Sequence, residues 1–416
     1  MVRFLPCLRR PFTTATKAHL GGSYIRDDYT NITTRILEHV GLNLHLQKNH
    51  PLNLVHQRII NYFHETFTLS SKPVFSIFNE LKPIVSVNQN FDSLLIPKDH
   101  VSRSKSDCYY LNREYLLRAH MTAHQAELLA GGFKNFLMIG DVYRRDEIDR
   151  THYPVFHQVD AVRLKSRDEL FPNACGHIFD KSVSTDYDGI QAKQECHSVE
   201  AVKLMEEELK NTLLGLVKSL FGDVKYRWVE TTFPFTQPSW ELEVFYNNDW
   251  LELLGCGIMK HHILTNAGVH DNIGWAFGIG LERVAMCLYK IPDIRLFWSK
   301  DSGFLSQFNL CDINQSVTYK EISQFPQCIN DISFWLPDNV EFSSNDFYDL
   351  VRDNGGNIVE QVELIDNFVH PKTKKISHCY RITYRHMEKT LTQEEVNRVH
   401  QRIGDAAREK LLVEIR

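Results

Sequence analysis

Residues 138–162, with the sequence MIGDVYRRDEIDRTHYPVFHQVDAV, restrict the fold of this chain more than any other segment. Two apolar runs, 136–143 and 155–162, flank a polar loop, and this pattern predicts a β-hairpin with a long connection. Side chains alternate along a strand, so every second residue of the hairpin shares a face. The polar and aromatic residues on that face are Arg144, Asp146, Phe156, Gln158 and Asp160. A core sheet does not need such a set, whereas a site for an anionic, planar, amine-bearing ligand does.

A second unusual element, WAFGIGLERVAMCLY at 275–289, predicts a strand that runs into an apolar helix. Its spacing Gly278-x-Gly280-x-x-Arg283 nearly matches a dinucleotide-binding fingerprint, but an arginine replaces the third glycine and no βαβ unit surrounds it. The glycines would let a flat ring lie against bare backbone, and Arg283 could hold a phosphate. Taken alone, each element is better explained as a solvated hairpin or a packing contact. Together they favour a binding site.

The two elements resemble the signature motifs of the class II aminoacyl-tRNA synthetases, with DVYRRD similar to motif 2 and FGIGLERV similar to motif 3. The longer text VYRRDEIDRTHYPVFHQVDA resembles the phenylalanyl-tRNA synthetases, in particular their single-chain mitochondrial form, and the resemblance extends from about residue 23 to the C-terminus. It implies an α+β fold, with a class II antiparallel-sheet catalytic domain and a C-terminal ferredoxin-like anticodon-binding domain. It also implies the substrates phenylalanine, ATP and tRNA(Phe), a Mg²⁺ ion, and a monomer.

The resemblance assigns residues to each substrate. The expected catalytic residues are Arg144, Arg283 and His152. Phe156 is expected to stack on adenine, the loop Thr151, His152 and Tyr153 to close over the phosphates, and Gly278 and Gly280 to line the same site. Glu252 is a candidate for Mg²⁺ or for the ribose region. The phenylalanine site is expected to comprise Thr122, Ala123, His124, Gln125, Gln158, Val159, Asp160, Phe233, Phe235, Gly255, Gly257 and Phe277.

The turn at Thr122-x-x-Gln125 has a second interpretation, because this spacing is also typical of a helix capping box. In that case the Thr122 hydroxyl caps a helix that ends at Gly131-Gly132. A helix N-terminus can also present free N–H groups to an anion, so the sequence leaves both possibilities open.

The chain ends predict targeting and RNA binding. Residues 1–22 contain basic and hydroxyl side chains but no acid, which is typical of a mitochondrial transit peptide and places the enzyme in the matrix; a disordered basic tail is the alternative. We expect the catalytic domain at 23–298, a linker at 299–325 and the anticodon-binding domain at 326–416. The last unit has the order β-α-β-β-α-β, the split ferredoxin-like pattern.

Between His370 and Lys389 lie six Lys or Arg residues and three His against one acid. A basic strand with aromatic residues can bind phosphates and stack single-stranded bases, although a solvated hairpin edge remains an alternative. The expected tRNA-binding residues are Lys374, Lys375, Tyr380, Arg381, Tyr384 and Arg385. The formal net charge of the whole chain is −5, so an RNA partner needs such a local patch.

Composition excludes several other classes. No apolar run approaches the ~18 residues of a membrane span, so no membrane partner is expected. The nine cysteines form no CxxC pair, so we expect neither zinc nor disulfides. No segment remains for an editing domain, which predicts uncorrected activation of tyrosine. Two other functions stay open: a related enzyme that adenylates another acid, and a catalytically silent RNA-binding relative.

Overall fold

The computed structural model describes residues 24–172, 175–180, 193–299, 302–321, 325–337, 342–386 and 388–416. The transit peptide predicted at 1–22 lies outside these residues. The described chain forms two units: the expected catalytic unit, built on a seven-stranded sheet, and a tail unit, built on a four-stranded sheet.

The seven-stranded sheet has the order β3-β6-β7-β11-β10-β9-β8, and every pairing in it is antiparallel except β3 with β6. Two short two-stranded sheets, β1-β2 and β4-β5, lie beside it. The strands of this unit are β1 Thr68–Leu69, β2 Lys72–Pro73, β3 Ser76–Phe78, β4 Ile84–Ser86, β5 Tyr115–Leu117, β6 Asn135–Tyr143, β7 Val155–Ser166, β8 Tyr226–Thr231, β9 Thr236–Tyr246, β10 Asp249–Met259 and β11 Asn272–Gly280.

The predicted hairpin is confirmed as β6 and β7, which pair antiparallel with Gly140 opposite Gln158. The predicted strand-to-helix element is confirmed as β11, which passes directly into the helix Leu281–Tyr289. The two elements are neighbours in the sheet, with Gly278 opposite Asp160 and Gly280 opposite Gln158. Segments that lie more than 100 residues apart in the sequence therefore share one face of one sheet.

The long helices Pro51–Thr66 and Val199–Phe221 cover the other face of this sheet, and the short helices Gln125–Ala130 and His261–Asn266 pack on the face that carries Asp160. Those of the catalytic unit are α1 Thr34–Leu37, α2 Pro51–Thr66, α3 Val87–Asn90, α4 Gln125–Ala130, α5 Arg167–Leu170, α6 Val199–Phe221, α7 His261–Asn266, α8 Leu281–Tyr289 and α9 Ser302–Ser306. Short 3₁₀ turns occur at Leu44–Leu46, Asp92–Leu94, Val101–Arg103, Met121–His124, Ile294–Trp298 and Gly356–Ile358. The apolar sides of α2 and α6 pack with Val159 and Ala161 of β7 in the main core, which leaves part of the Gln158 and Asp160 face free for a site.

The tail unit has the predicted β-α-β-β-α-β order, which confirms its ferredoxin-like fold. Its elements are β12 Cys328–Trp335, α10 Ser344–Gly355, β13 Val359–Val369, β14 Ile376–Tyr384, α11 Gln393–Leu411 and β15 Glu414–Ile415. The sheet order is β13-β14-β12-β15, and α10 and α11 cover one face of it. The start of the segment expected to be a linker packs on the catalytic core, because Phe304 and Phe308 are buried there.

No helix among the described residues is long and apolar enough to span a bilayer.

Candidate active site

A cavity of about 690 Å³ opens on the face of the catalytic sheet that carries Gln158 and Asp160. Many of the residues expected in the substrate sites border it, although they come from six different segments of the chain. These residues are Thr122, Gln125, Arg144, Gln158, Asp160, Phe233, Phe235, Glu252, Gly255, Phe277 and Gly278.

Asp160 and Thr122 form a buried polar pair in this cavity. The Thr122 hydroxyl donates to Asp160 Oδ2 over 2.5 Å, while Asp160 Oδ1 is buried and has no hydrogen-bond partner among the described residues. The capping-box interpretation of Thr122 is therefore wrong: residues Met121–His124 form a 3₁₀ turn, and the hydroxyl turns to β7 instead. Burial raises the pKa of the Asp160 carboxyl to about 6. An unpartnered buried carboxylate of this kind is suited to a cationic ligand group.

Arg144 lies next to this carboxylate, directly after β6. Its Nε donates to the carbonyl of Ala119 over 2.7 Å, and its guanidinium lies over the Phe156 ring at 5.2 Å from the centroid. Burial lowers the pKa of Arg144, but a guanidinium starts so far above neutrality that it remains charged at neutral pH. The cavity thus combines a fixed cation with a fixed anion.

His120, which no sequence pattern singled out, also borders the cavity. Both of its ring nitrogens are buried without a partner among the described residues. Burial, together with the nearby charge of Arg144, lowers the pKa of His120 to about 3, so the ring is neutral. The sequence feature that could have indicated this residue is its position, two residues before Thr122, where a polar side chain interrupts an apolar stretch.

An aromatic slot forms one wall of the cavity. The rings of Phe233 and Phe235 lie 5.7 Å apart and nearly parallel, at an interplanar angle of 3°. Gly255 approaches this wall so closely that a Cβ there would lie 2.8 Å from Phe233 Cζ. Gly278 is equally constrained, because its Cβ would lie 2.9 Å from Asp160 Oδ1. The small residues keep open a space in which a flat ring fits.

Several residues expected at the amino-acid site have other contacts. The Phe277 ring packs on Phe63 of α2 at a centroid distance of 5.8 Å, because β11 alternation turns it to the helix side. Gly257 packs on the backbone of Pro238, and Val159 is a core residue. Ala123 is also a core residue, and His124 contacts Arg118 and Glu127. Phe277 also borders the cavity, whereas Gly257, Val159, Ala123 and His124 are not among the residues that line it.

Arg283 lies beside Glu252, which borders the cavity. Arg283 Nη1 donates to the Glu252 carbonyl over 2.6 Å and lies 3.7 Å from its carboxylate, and both side chains are about half exposed. Partial burial and the charge of Glu252 raise the pKa of the neighbouring Glu241. Gly280, at the N-cap of α8, has open space where a Cβ would be.

In the loop between β6 and β7, Thr151 and His152 both donate hydrogen bonds to the carboxylate of Asp149. Asp149 accepts hydrogen bonds from the backbone N–H groups of both residues, at 2.6 and 2.7 Å, and from His152 Nδ1 at 2.8 Å. The hydrogen bond that His152 Nδ1 donates to Asp149 raises the pKa of His152. Tyr153 stacks on Trp298 at 5.3 Å. His152 and Tyr153 border the tail unit rather than the large cavity.

The tail unit contacts this same loop. Arg145 pairs with Asp346 of α10 at 2.8 Å, and Arg150 Nε donates to the buried Glu360 carboxylate over 2.8 Å. The side chain of Ile148 is only 5% exposed and belongs to the apolar core of the tail unit. Its carbonyl accepts the N–H of Val362 over 2.9 Å. Residues at the far end of the chain therefore hold the loop between β6 and β7.

The residues expected to bind tRNA lie in three different settings. Tyr380 and Tyr384 are fully buried against α10 and α11, so the expectation that they stack bases is wrong: strand alternation turns both rings into the core. Arg381 is exposed and makes a two-bond pair with Asp331. The remaining candidates, Lys374, Lys375 and Arg385, lie at the β13–β14 turn or beside the catalytic unit.

Comparisons with known proteins agree with this architecture. Residues 37–171 and 179–308 match the family described as "tRNA synthetases class II core domain (F)", and residues 323–416 match the "Ferredoxin-fold anticodon binding domain". The chain is 57% identical to the probable mitochondrial phenylalanine–tRNA ligase of Drosophila melanogaster, over 95% of this chain and 91% of that protein. It is 55% identical to the mitochondrial enzyme of Mus musculus, over 95% and 88%. It is 36% identical to that of Saccharomyces cerevisiae, over 98% and 97%.

Among the described residues, no group of three His, Cys, Asp or Glu side chains is arranged to hold a metal ion. The cavity instead presents a buried anion, a fixed guanidinium and an aromatic slot on a class II sheet. Together with the identities above, these features show that the chain belongs to the class II aminoacyl-tRNA synthetases, as a member of the mitochondrial phenylalanine–tRNA ligase family.

Proposed function

We propose that the cavity bordered by Asp160, Arg144 and Phe233 is where this ligase activates phenylalanine with ATP. The phenylalanine carboxylate attacks the α-phosphorus, forming a P–O bond as the bond to pyrophosphate breaks. The terminal 2′-hydroxyl of tRNA(Phe) then takes the acyl group and AMP leaves. No side-chain nucleophile is needed, so catalysis comes from positioning and charge stabilisation.

The buried Thr122–Asp160 pair is the observation that carries this proposal. Asp160 Oδ1 is free to accept the substrate ammonium group, and Gln158 Oε1 is a second buried acceptor without a partner among the described residues. The parallel rings of Phe233 and Phe235 supply an apolar wall for the side chain. An α-amino acid with a flat apolar side chain satisfies all of these groups.

Arg144 is the proposed ligand of the α-phosphate. It lies over Phe156, the proposed adenine platform, and is anchored by the Ala119 carbonyl. A guanidinium fixed in this way can make paired hydrogen bonds to phosphate oxygens without reorganisation. Arg283, beside Glu252, is proposed to balance phosphate charge.

Glu252 is the proposed contact for Mg²⁺. The residues fit this ion, because Glu252 and Glu241 lie close enough for one carboxylate to raise the pKa of the other. A divalent cation relieves that repulsion, and Mg²⁺ in nucleotide sites commonly takes only one or two carboxylates with water and phosphate oxygens. When bound, the ion would neutralise charge on the departing pyrophosphate.

The open face of the tail sheet is the proposed surface for the anticodon loop. Trp335 of β12 lies on the face opposite the buried Phe334, with the Arg416 guanidinium 4.8 Å from its ring centroid. Phe368 and His370 surround it at centroid distances of 6.3 and 6.0 Å. Lys374 lies at the adjoining turn. Exposed rings beside cations can stack bases and bind phosphates, so this cluster takes the role first expected of Tyr380 and Tyr384.

The relatives' names place this family in the mitochondrion. We propose the matrix as the compartment, with residues 1–22 as the targeting segment, and a monomer as the working form.

Amino-acid-dependent ATP–pyrophosphate exchange tests the proposal directly. The purified chain is screened with all twenty amino acids, beside Arg144→Ala and Arg144→Lys. Phenylalanine-dependent exchange that falls by about 10²-fold or more in Arg144→Ala supports the assignment, since one preorganised donor is worth 10²–10³ in rate. Exchange with another amino acid would overturn the substrate. A folded wild type without exchange would favour a silent RNA-binding protein.

A further inference from the structure

His157 and Glu282 form a buried pair that no step of the proposed reaction uses. One Glu282 oxygen accepts the His157 backbone N–H over 2.8 Å, and the other lies 2.7 Å from His157 Nδ1. The His157 side chain is fully buried and that of Glu282 is 3% exposed. Nδ1 must carry the proton, because a carboxylate can only accept.

The place of this pair in the sheet explains why it exists. Strand β11 ends at Gly280, opposite Gln158 of β7, so the next N–H on β7 has no strand to bond. The chain turns into α8, and Glu282 in its first turn takes the place of the missing ladder partner. The carboxylate therefore fixes where α8 begins relative to β7.

The neighbours of the pair give it a functional meaning. His157 lies between Phe156 and Gln158, whose side chains point to the opposite, cavity face of β7. Glu282 directly precedes Arg283. We infer that Glu282 and His157 are positioning residues for ATP, holding Arg283 at a fixed distance from the Phe156 platform. This inference rests on the proposed ATP site.

The other groups around His157 do not connect its ring to the cavity. The His157 ring lies 6.0 Å from Trp298 and 5.3 Å from His45, and its Nε2 has no partner among the described residues. Asp141 lies opposite His157 on β6, but its carboxylate bonds Arg118 and Tyr143. Glu282 is therefore the residue that links this ring to the cavity.

His56 of α2 provides a matched control. It is 4% exposed and belongs to the same group of buried histidines, with its ring 5.5 Å from that of His45. Both of its ring nitrogens lack a partner among the described residues, and it contacts neither β7 nor α8 through a hydrogen bond. Replacement of His56 therefore removes a buried imidazole but leaves intact the His157–Glu282 contact between β7 and α8.

The test compares His157→Leu, His157→Asn, Glu282→Gln and His56→Leu by ATP–pyrophosphate exchange, with KM measured for each substrate. His157→Leu is expected to raise KM for ATP by about tenfold or more, since a misplacement of about 1 Å can cost ~10². KM for phenylalanine should change less than about twofold. His157→Asn, which keeps an N–H donor near the Nδ1 position, should restore most of the ATP affinity, and His56→Leu should leave both KM values near wild type.

A double-mutant cycle with Arg283→Ala separates positioning from general packing. If His157 acts through Arg283, His157→Leu will add little to the defect of Arg283→Ala. Parallel rises in both KM values, no rescue by His157→Asn, or an equal effect of His56→Leu would overturn the inference. If His157→Leu does not fold, Glu282→Gln decides on the same criteria. Inactivity of the wild type itself would instead refute the proposed function.

Discussion

The Thr122 hydroxyl lies 2.5 Å from Asp160 Oδ2, which brings together two residues that are 38 positions apart in the sequence. One oxygen of the carboxylate is held by the protein, and the other is left for a ligand. The substrate ammonium group thus meets an acceptor whose direction is already fixed.

Asp160→Asn is expected to lower kcat/KM for phenylalanine by about 10²-fold, because a hydrogen bond to a charged group contributes ~1.5–3 kcal/mol. KM for ATP should stay near wild type. The same change should raise the melting temperature at neutral pH, because burial has raised the pKa of this carboxyl from 3.8 to about 6. A folded state with a raised carboxyl pKa loses stability as pH rises through that value. An unchanged phenylalanine KM would contradict the role.

The pH dependence of phenylalanine binding follows from the same shift. Asp160 is mainly a carboxylate above pH 6, since burial raises its pKa to about 6. KM for phenylalanine should therefore increase as pH falls from 7.5 to 5.5, whereas KM for ATP should change less. The measurement is exchange kinetics across that range, with Asp160→Asn as the control that lacks the titrating group. A phenylalanine KM that is flat in wild type would count against this assignment.

Gly255→Ala should narrow the aromatic slot. The new Cβ would lie 2.8 Å from Phe233 Cζ, so the ring must move into the space used by the substrate. Overpacking of this size costs ~1–3 kcal/mol, so KM for phenylalanine should rise by about tenfold, with KM for ATP unchanged. Gly404→Ala is the matched control, because its Cβ meets only Ile332 Cδ1 at an ordinary 3.8 Å. Equal effects of the two variants would refute the slot.

Tyrosine should be activated and not corrected. An apolar slot discriminates poorly against an added hydroxyl, by roughly 10² in kcat/KM. Pyrophosphate exchange at high tyrosine concentration should therefore be measurable, and tyrosine transferred to tRNA should persist in the absence of other enzymes. Complete rejection of tyrosine would show that a polar group in the slot excludes the tyrosine hydroxyl.

Trp335→Ala should weaken the binding of tRNA without affecting amino-acid activation. Loss of one stacking platform is worth about 1–3 kcal/mol, so KM for tRNA in aminoacylation should rise by roughly tenfold or more. Trp250→Ala is the matched control, since Arg227 covers that ring at 4.4 Å on the catalytic sheet, a stack like that of Arg416 on Trp335. If both substitutions raised KM for tRNA equally, the assignment of the tail surface to tRNA binding would be wrong.

The hairpin and its cavity face were predictable because strand alternation is a local rule: Gln158 and Asp160 share a face wherever β7 lies. Two interpretations of Thr122, the amino-acid site and a helix cap, stayed open because the partner of its hydroxyl, Asp160, is on a distant strand. Phe277 was placed in the slot for a similar reason, although alternation puts Gly278 on the cavity face and turns Phe277 toward α2.

The tail illustrates the same limit. Alternation places Tyr380 and Tyr384 on one face of β14, but which face is buried depends on where α10 and α11 pack. The apolar Ile382 between them was a usable sign that this was the core side. His120 carried no periodic signal, because it lies in an irregular connection.

Ile148 completes the tail core from within the loop of the catalytic hairpin. The tail expressed as an isolated fragment would lack the Ile148 side chain in its core and the carbonyl that accepts the Val362 N–H. Substitutions far from the proposed ATP site, inherited or engineered, can therefore change the kinetics with which the enzyme uses ATP. A kinetic phenotype in this enzyme does not by itself locate the altered residue.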